Sequence, residues 1–390
     1  MSSRAIVLGI LVGTLAAAVL VGGHYYLARR LVLDPQWGAP LRGVLLGTIV
    51  LLGASLVLQP VCGRVLKPPL ARLVAWPASL WMGFLFFSLT LLLVSDGVLA
   101  LLGGSALADT GQGGPEHASA RLRALTVASL ALGAGAVGLL TATRPPMLRR
   151  VEHRLRRWPR ELDGFRIVQI SDLHIGPILG RRFAEQLVSR CNEIVPDLVA
   201  VTGDLVDGGV RQLADEVAPL AGLRAQFGVF FVTGNHDHYS GAAEWADVVR
   251  GLGMSVLRNE HVCVDTGNAS FDLAGVDDHR GGFIDGVRED LPRALAGRDP
   301  ERALVLLAHD PSTFKRASQM GVDLQLSGHT HGGQIWPFVY LVRLVTPFVS
   351  GLYQRNGAQL YVSRGTGFWG PPMRLGAPAE ITEHVLRSDT

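Results

Sequence analysis

Charge is scarce in this chain. Lys, Arg, Asp and Glu make up 18% of the 390 residues, against 48% hydrophobic ones, a balance that leans toward membrane proteins. The formal net charge of +3 is too small to point to a nucleic-acid partner. Cysteine is nearly missing as well. Cys62, Cys191 and Cys263 are an odd set without motif spacing, so they define no disulfide framework. Cys191 falls on the apolar face of an expected helix and reads as core.

The scarcity of charge is concentrated at one end. Four apolar runs, Ile6–Val21, Val44–Leu58, Ala78–Leu93 and Leu122–Thr141, precede residue 145, each approaching the ~20 residues that cross a bilayer. The first lacks a small-residue cleavage site and is followed by three more, which argues against a signal peptide. We expect four spans over residues 1–145 and a globular domain over 146–390. Intramembrane ionisable residues mark transport pathways, and only Asp96, near a span end, qualifies. The spans therefore read as an anchor rather than a transporter.

An even number of spans puts both ends of this region on one side. Arg4, Arg64, Lys67, Arg72, Arg144, Arg149 and Arg150 lie there. Arg29, Arg30, Arg42, Arg121 and Arg123 lie on the other, with Asp109 and Glu116. The positive-inside rule then places the C-terminal domain in the cytoplasm of a cell-membrane protein. The basic joint "RRVEHRLRRWPR" reads as a topology signal and solvated linker, and anionic headgroups are a second partner for it.

From about Val151 the pattern changes to short apolar runs alternating with amphipathic helices. "FRIVQIS", "DLVAVTG", "GVFFVTG", "SFDLAGV", "RALVLLAH", "VDLQLSG" and "AQLYVSRG" read as strands. In "RRFAEQLVSRCNEIV", Phe183, Leu187, Val188, Cys191 and Ile194 recur at helical spacing. "RQLADEVAPLAGL" is a second helix. This is layered α/β architecture with buried strands.

Polar groups gather where such strands end, which is where open α/β sheets hold ligands. They are Asp172 and His174, Asp204 with Asp207, Asn235-His236-Asp237, His309-Asp310, and His329 with His331 in "LSGHTHGGQ". Each alone is an ordinary turn, but five at successive strand ends are not. Imidazole and carboxylate donors favour divalent Mn, Fe or Zn over copper held by sulfur. Two such ions about 3.5–4 Å apart can activate one water and clamp both oxygens of an in-line displacement.

The ordered set D-x-H, G-D-x-x-D, G-N-H-D, H and G-H-x-H over roughly Val151–Thr390 resembles the calcineurin-like metallophosphoesterases, particularly their membrane-anchored bacterial branch. The closing "YVSRGTGFWGPPMRLGAPAEIT" is similar to that branch too. The resemblance implies a four-layer α/β/β/α sandwich following the multi-pass helical membrane region. It also implies two divalent metal ions. Asp172, His174 and His331 would hold the first, Asn235, His309 and His329 the second, and Asp204 would bridge them. His236 would assist the leaving group, oriented by Asp207, while a metal-bridging hydroxide attacks phosphorus. The implied substrate is a phosphate ester or pyrophosphate. The anchor makes a lipid-linked one the leading class, with a soluble nucleotide or phosphodiester behind it.

A rival reading is a non-catalytic membrane sensor or scaffold that binds ligand without turnover. A degenerate domain of that kind usually lacks a ligand or the catalytic histidine, and here every position is filled. Phe368, Trp369 and Met373 of "FWGPPM" read as ordinary packing rather than a lip over the site. Arg364 and Arg374 are either phosphate contacts or surface residues. No motif implies an oligomeric state.

Overall fold

The computed structural model describes residues 3–102, 115–284 and 286–389, without the side chains of residues 3–12, 115, 116 and 283. Asp109 and the side chains of Arg4, Ile6 and Glu116, used in the span and charge arguments, lie outside the described residues. The chain divides into two compact units, residues 1–61 with 74–137 and residues 62–73 with 138–390.

Helices α1 (Ser3–Ala28), α2 (Ala39–Val65), α3 (Pro68–Leu101) and α4 (Pro115–Ala142) contain the four apolar runs. Among the described residues three segments, Ala39–Val65, Pro68–Leu101 and His117–Ala142, are long and apolar enough to cross a membrane, with mean hydropathy of 2.1, 2.2 and 1.8. Inward-facing side chains of the first unit, among them Leu27, Ile49, Trp81, Leu85 and Val127, pack together. Asp96 is neutralised inside this unit. It accepts from Tyr26 Oη at 2.5 Å, from Arg30 Nη2 at 2.7 Å and from Arg123 Nη2.

The second unit contains two six-stranded sheets. The strands are β1 (Met147–Leu155), β2 (Phe165–Ile170), β3 (Leu198–Thr202), β4 (Val229–Val232), β5 (Ser255–Val256), β6 (Glu260–Asp265), β7 (Ser270–Gly275), β8 (Leu304–Leu307), β9 (Leu324–Ser327), β10 (Gly351–Arg355), β11 (Ala358–Val362) and β12 (Glu380–Ser388). The helices between them are α5 (Arg181–Glu193), α6 (Val210–Val217), α7 (Asn235–Ser240), α8 (Ala242–Gly251), α9 (Leu291–Ala294), α10 (Phe314–Ala317) and α11 (Val339–Val345). Strand order is β1-β12-β2-β3-β4-β5 in one sheet and β10-β11-β9-β8-β7-β6 in the other. β2 to β5 run parallel, as do β7, β8, β9 and β11.

Residue parity explains the layers, because successive side chains of a strand point to opposite faces. In β2, β3 and β4 the residues Ile167, Leu198, Ala200, Phe230 and Val232 face the second sheet. Their neighbours Val168, Val199, Val201 and Phe231 pack against α5, α6 and α8 through Leu187, Cys191, Leu213 and Trp245. In the second sheet Val305 and Leu307 join the inner layer, while Leu304 and Leu306 meet Leu291 and Ala317 of α9 and α10. The result is helix, sheet, sheet, helix, and Cys191 is fully buried in it.

One expectation needs correcting. The basic joint is not a linker, because its first half is β1, paired in parallel with β12 from Met147↔Glu380 to Leu155↔Ser388. Alternation within the arginines carries it. His153 and Leu155 are buried while Arg150 and Arg154 face water, and charged side chains suit an exposed sheet edge.

Candidate metal centre

Parallel strands bring their C-terminal ends to one rim, and the polar loops follow directly. Asp172 and His174 follow β2, Asp204 follows β3, Asn235 and His236 open α7 after β4, His309 follows β8, and His329 and His331 follow β9. Five of these residues take left-handed backbone: Asp172 (φ 55°), His174 (47°), Asp204 (52°), His329 (75°) and His331 (51°). Such conformations cost roughly 1–3 kcal/mol each and persist where the surroundings over-determine them. Here the loops hold one another. Asp172 N donates to Gly203 O at 3.0 Å and His174 N to Asp204 O at 3.1 Å. Two glycines permit the approach: a Cβ at Gly328 would strike Ser171 Oγ and Asp172 Oδ2, and one at Gly234 would strike Asp204 Oδ1.

The donors form two groups. In the first, His174 Nε2 lies 3.0 Å from His331 Nε2, which is 3.4 Å from Asp172 Oδ1. In the second, His309 Nε2 lies 3.2 Å from His329 Nδ1 and 3.1 Å from Asp204 Oδ2. Asp204 Oδ2 is also 3.7 Å from His174 Nε2, so one carboxylate oxygen borders both groups. Asn235 Oδ1 is buried without a hydrogen-bond partner.

This donor set fits divalent cations. Two imidazole nitrogens at 3.0 Å repel through their lone pairs unless a proton or cation lies between them. Ligands at right angles on one ion with bonds of ~2.1 Å stand about 3 Å apart. The buried, unpaired amide oxygen calls for a cation as well. His309 Nδ1 contacts Thr202 O at 2.8 Å, which fixes the proton there and leaves Nε2 free to ligate.

Protonation follows the same logic. Burial opposes the charge on His174, but Asp207, Asp204 and Asp172 outweigh it and raise the imidazole to about 9. Burial also opposes the charge on His309, which Asp204 nevertheless holds well above its ordinary value. Burial and the neighbouring His174 and Arg374 push His331 well below the usual range. Burial works against the Asp204 carboxylate, yet His309, His236 and His174 keep it far below a normal carboxyl. Each donor group thus pairs one imidazole raised by carboxylates, His174 or His309, with one pushed toward its neutral form, His331 or His329.

His236 stands beside the two groups. Asp207 Oδ1 lies 2.7 Å from its Nδ1 and 3.1 Å from His174 Nδ1. Asp204 Oδ1 accepts from His236 N at 2.8 Å. The structure therefore brings every expected site residue, Asp172, His174, Asp204, Asp207, Asn235, His236, His309, His329 and His331, to one place.

Other contributors escaped sequence reasoning. Asp207 serves His174 as well as His236. Asp237 clamps two loops, accepting from Leu205 N at 2.9 Å and Gly234 N at 2.8 Å, and its place inside G-N-H-D was the available signal. Arg374 is neither a phosphate contact nor a surface residue. It is fully buried, donating to Gly367 O and to Ala377 O at 2.8 Å, with Nη2 3.4 Å from His331 Nδ1. Burial lowers its pKa to about 10, so it stays charged at neutral pH. Phe368 and Met373 are packed inside as expected, while Trp369 is half exposed with its ring 5.6 Å from that of His236.

Residues 165–333 match the family model described as calcineurin-like phosphoesterase. A Bos taurus protein named "Transmembrane protein with metallophosphoesterase domain" is 40% identical over 264 residues, covering 65% of this chain and 60% of that one. An uncharacterized metallophosphoesterase of Bacillus subtilis is 33% identical over 276 residues, covering 68% of this chain and 94% of its own. One of Aquifex aeolicus is 36% identical over 220 residues, covering 55% and 82%. Against the first curated relatives the match spans about three-fifths of their length, 60% and 59%.

Proposed function

This chain belongs to the calcineurin-like metallophosphoesterases, and on that premise we propose that it hydrolyses a phosphate ester or pyrophosphate at a two-metal centre. The observation that carries the reading is the pair of facing imidazole groups sharing Asp204 Oδ2, with Asn235 Oδ1 left unpaired beside them. Asp172, His174 and His331 would hold one ion, Asn235, His309 and His329 the other, and Asp204 both. When bound, the ions supply Lewis-acid polarisation of the phosphoryl group and activation of the attacking water.

The remaining steps belong to side chains. Asp207 takes His236 Nδ1 at 2.7 Å, which fixes the ring and leaves Nε2 to deliver a proton to the departing oxygen. His236 is only partly buried, so substrate can reach it. Arg374 keeps the 365–377 loop against His331. With no ligand position degenerate, the non-catalytic sensor reading has no observation in its favour.

The leading substrate class is lipid-linked. Four residues, 143–146, separate the end of α4 from β1, a reach of at most ~14 Å. For orientation, seven basic residues against five support a multi-pass anchor with a cytoplasmic domain. A membrane-impermeant maleimide tests this on Cys263, which is exposed. Labelling only after the cell membrane is opened supports the cytoplasmic side, and labelling of intact cells refutes it. The activity is tested on the full-length protein with Mn²⁺ and p-nitrophenyl mono- and diesters. Metal-dependent turnover that vanishes in His236→Ala supports the reading. Turnover independent of metal or of His236 refutes it.

A further inference from the structure

Residues 336–345, "WPFVYLVRLV", begin five positions after His331 and are exposed in a way no soluble surface requires. Within them Leu344 is 83% exposed, Val345 80%, Trp336 55%, Tyr340 55% and Leu341 53%. α11 buries none of its residues. Contiguous apolar surface of this kind marks an interaction site. Trp and Tyr beside aliphatic residues are the composition that settles at the water–lipid boundary.

Charge points to the occupant. Residues 336–345 contain no Asp or Glu, and their one charged residue is Arg343. Arg343 lies over the Tyr340 ring at 5.9 Å, so its stem can lie along apolar surface with the guanidinium raised toward an acidic headgroup. An apolar face whose one charge is a guanidinium suits an anionic bilayer surface.

The ledge is also tied to the catalytic rim. Gln334 Nε2 donates to Trp369 O at 2.8 Å and Gln334 Oε1 accepts from Trp369 N at 3.0 Å. Trp369, half exposed, faces His236. Trp336 N donates to Leu375 O at 2.9 Å. A rigid apolar step therefore runs from the membrane-ready residues to the leaving-group histidine.

We propose that the 336–345 ledge, with Trp369, beds into the headgroup–acyl boundary of the bilayer and receives the lipid part of a phosphoester presented to the metal centre. This rests on the phosphoesterase reading for its chemistry, but the docking itself does not. Interfacial helices of this type sit shallowly, with the apolar face at the headgroup–acyl boundary.

The test uses full-length protein in nanodiscs of phosphatidylcholine and phosphatidylglycerol carrying a nitroxide lipid. Cys62→Ser and Cys263→Ser leave only the buried Cys191, and a fluorophore is placed on Leu344→Cys or, as control, on Asp247→Cys of α8. The proposal expects the Leu344→Cys label to lose roughly half its emission or more, as at a depth of about 5–10 Å, while the control is spared. It also expects Leu344→Glu/Val345→Glu to bring a Leu341→Cys label down to the control level. That double variant should keep its turnover of the soluble p-nitrophenyl esters, which shows that it is folded.

Equal quenching at positions 344 and 247 overturns the proposal. So does a Leu344→Cys label already shielded in detergent together with self-association by light scattering, which would assign the ledge to a second copy. Strong quenching at 344 in a protein without soluble-ester turnover would support the ledge and fell the phosphoesterase reading.

Discussion

Each unit of this protein holds a cluster of charged groups drawn in from solvent, part-buried around Asp96 and buried around Asp204, and the two are built in opposite ways. Around Asp96 both carboxylate oxygens are taken, by Tyr26, Arg30 and Arg123, and Arg30 also reaches Asp34 at 3.0 Å. What remains unpaired there are donors, Arg30 Nε and Arg123 Nε. Around Asp204 the groups left over are acceptors, imidazole nitrogens face to face and Asn235 Oδ1. Of the two, only the second has a donor set that a cation would satisfy. A charge group closed by its own partners reads as structural, and one whose lone pairs confront each other reads as a candidate binding site.

Breaking that contrast at its centre should have the largest effect. Asp204→Asn removes the charge bordering both groups, so metal analysis of the purified chain should show both ions lost and turnover down by about 10³-fold or more. Retention of two ions would refute its bridging place. His236→Ala should leave metal content intact and lower turnover by roughly 10²–10⁴-fold, and full activity would remove it from the reaction. Asp207→Asn touches two rings at once. It should cost about 10–100-fold in turnover or metal affinity, with a weaker hold on the ion at His174.

The pH dependence of loading sharpens the comparison further. His174, raised to about 9 in the metal-free protein, is protonated at neutral pH, and the proton must leave for a cation to bind. Apparent Mn²⁺ affinity should therefore rise with pH up to about 9, with proton release visible by calorimetry in buffers of different ionisation enthalpy. A flat profile would contradict it. Smallest for catalysis is Asp96→Asn, which should leave soluble-ester turnover unchanged. Arg30 keeps Asp34, but Arg123 loses its carboxylate partner, which should still lower thermal stability in detergent by about 1–3 kcal/mol.

The convergence of the candidate ligands was legible because their chemistry sits at strand ends and cannot be spent on packing. Cys191 was legible from helical periodicity, and β2 and β3 from their short apolar runs. β1 was not, because an edge strand carries arginines that resemble a linker. β12 hid for a related reason. Its polar residues are buried and paired inside, as where His384 Nε2 meets Gln169 Oε1 at 3.0 Å and Tyr361 Oη donates to Glu380 Oε1 at 2.7 Å. The exposure of the ledge after His331 was not legible because hydropathy does not report whether anything covers an apolar run. Arg374 reads as a phosphate contact or a surface residue because a buried guanidinium is recognised only by the carbonyls around it.

The central claim is that two ions share Asp204, and electron paramagnetic resonance of the full-length protein loaded with Mn²⁺ tests it most directly. A shared carboxylate predicts the multiline signal of a spin-coupled manganese pair, lost in Asp204→Asn. A wild-type spectrum of isolated mononuclear manganese, at any loading, would contradict the account.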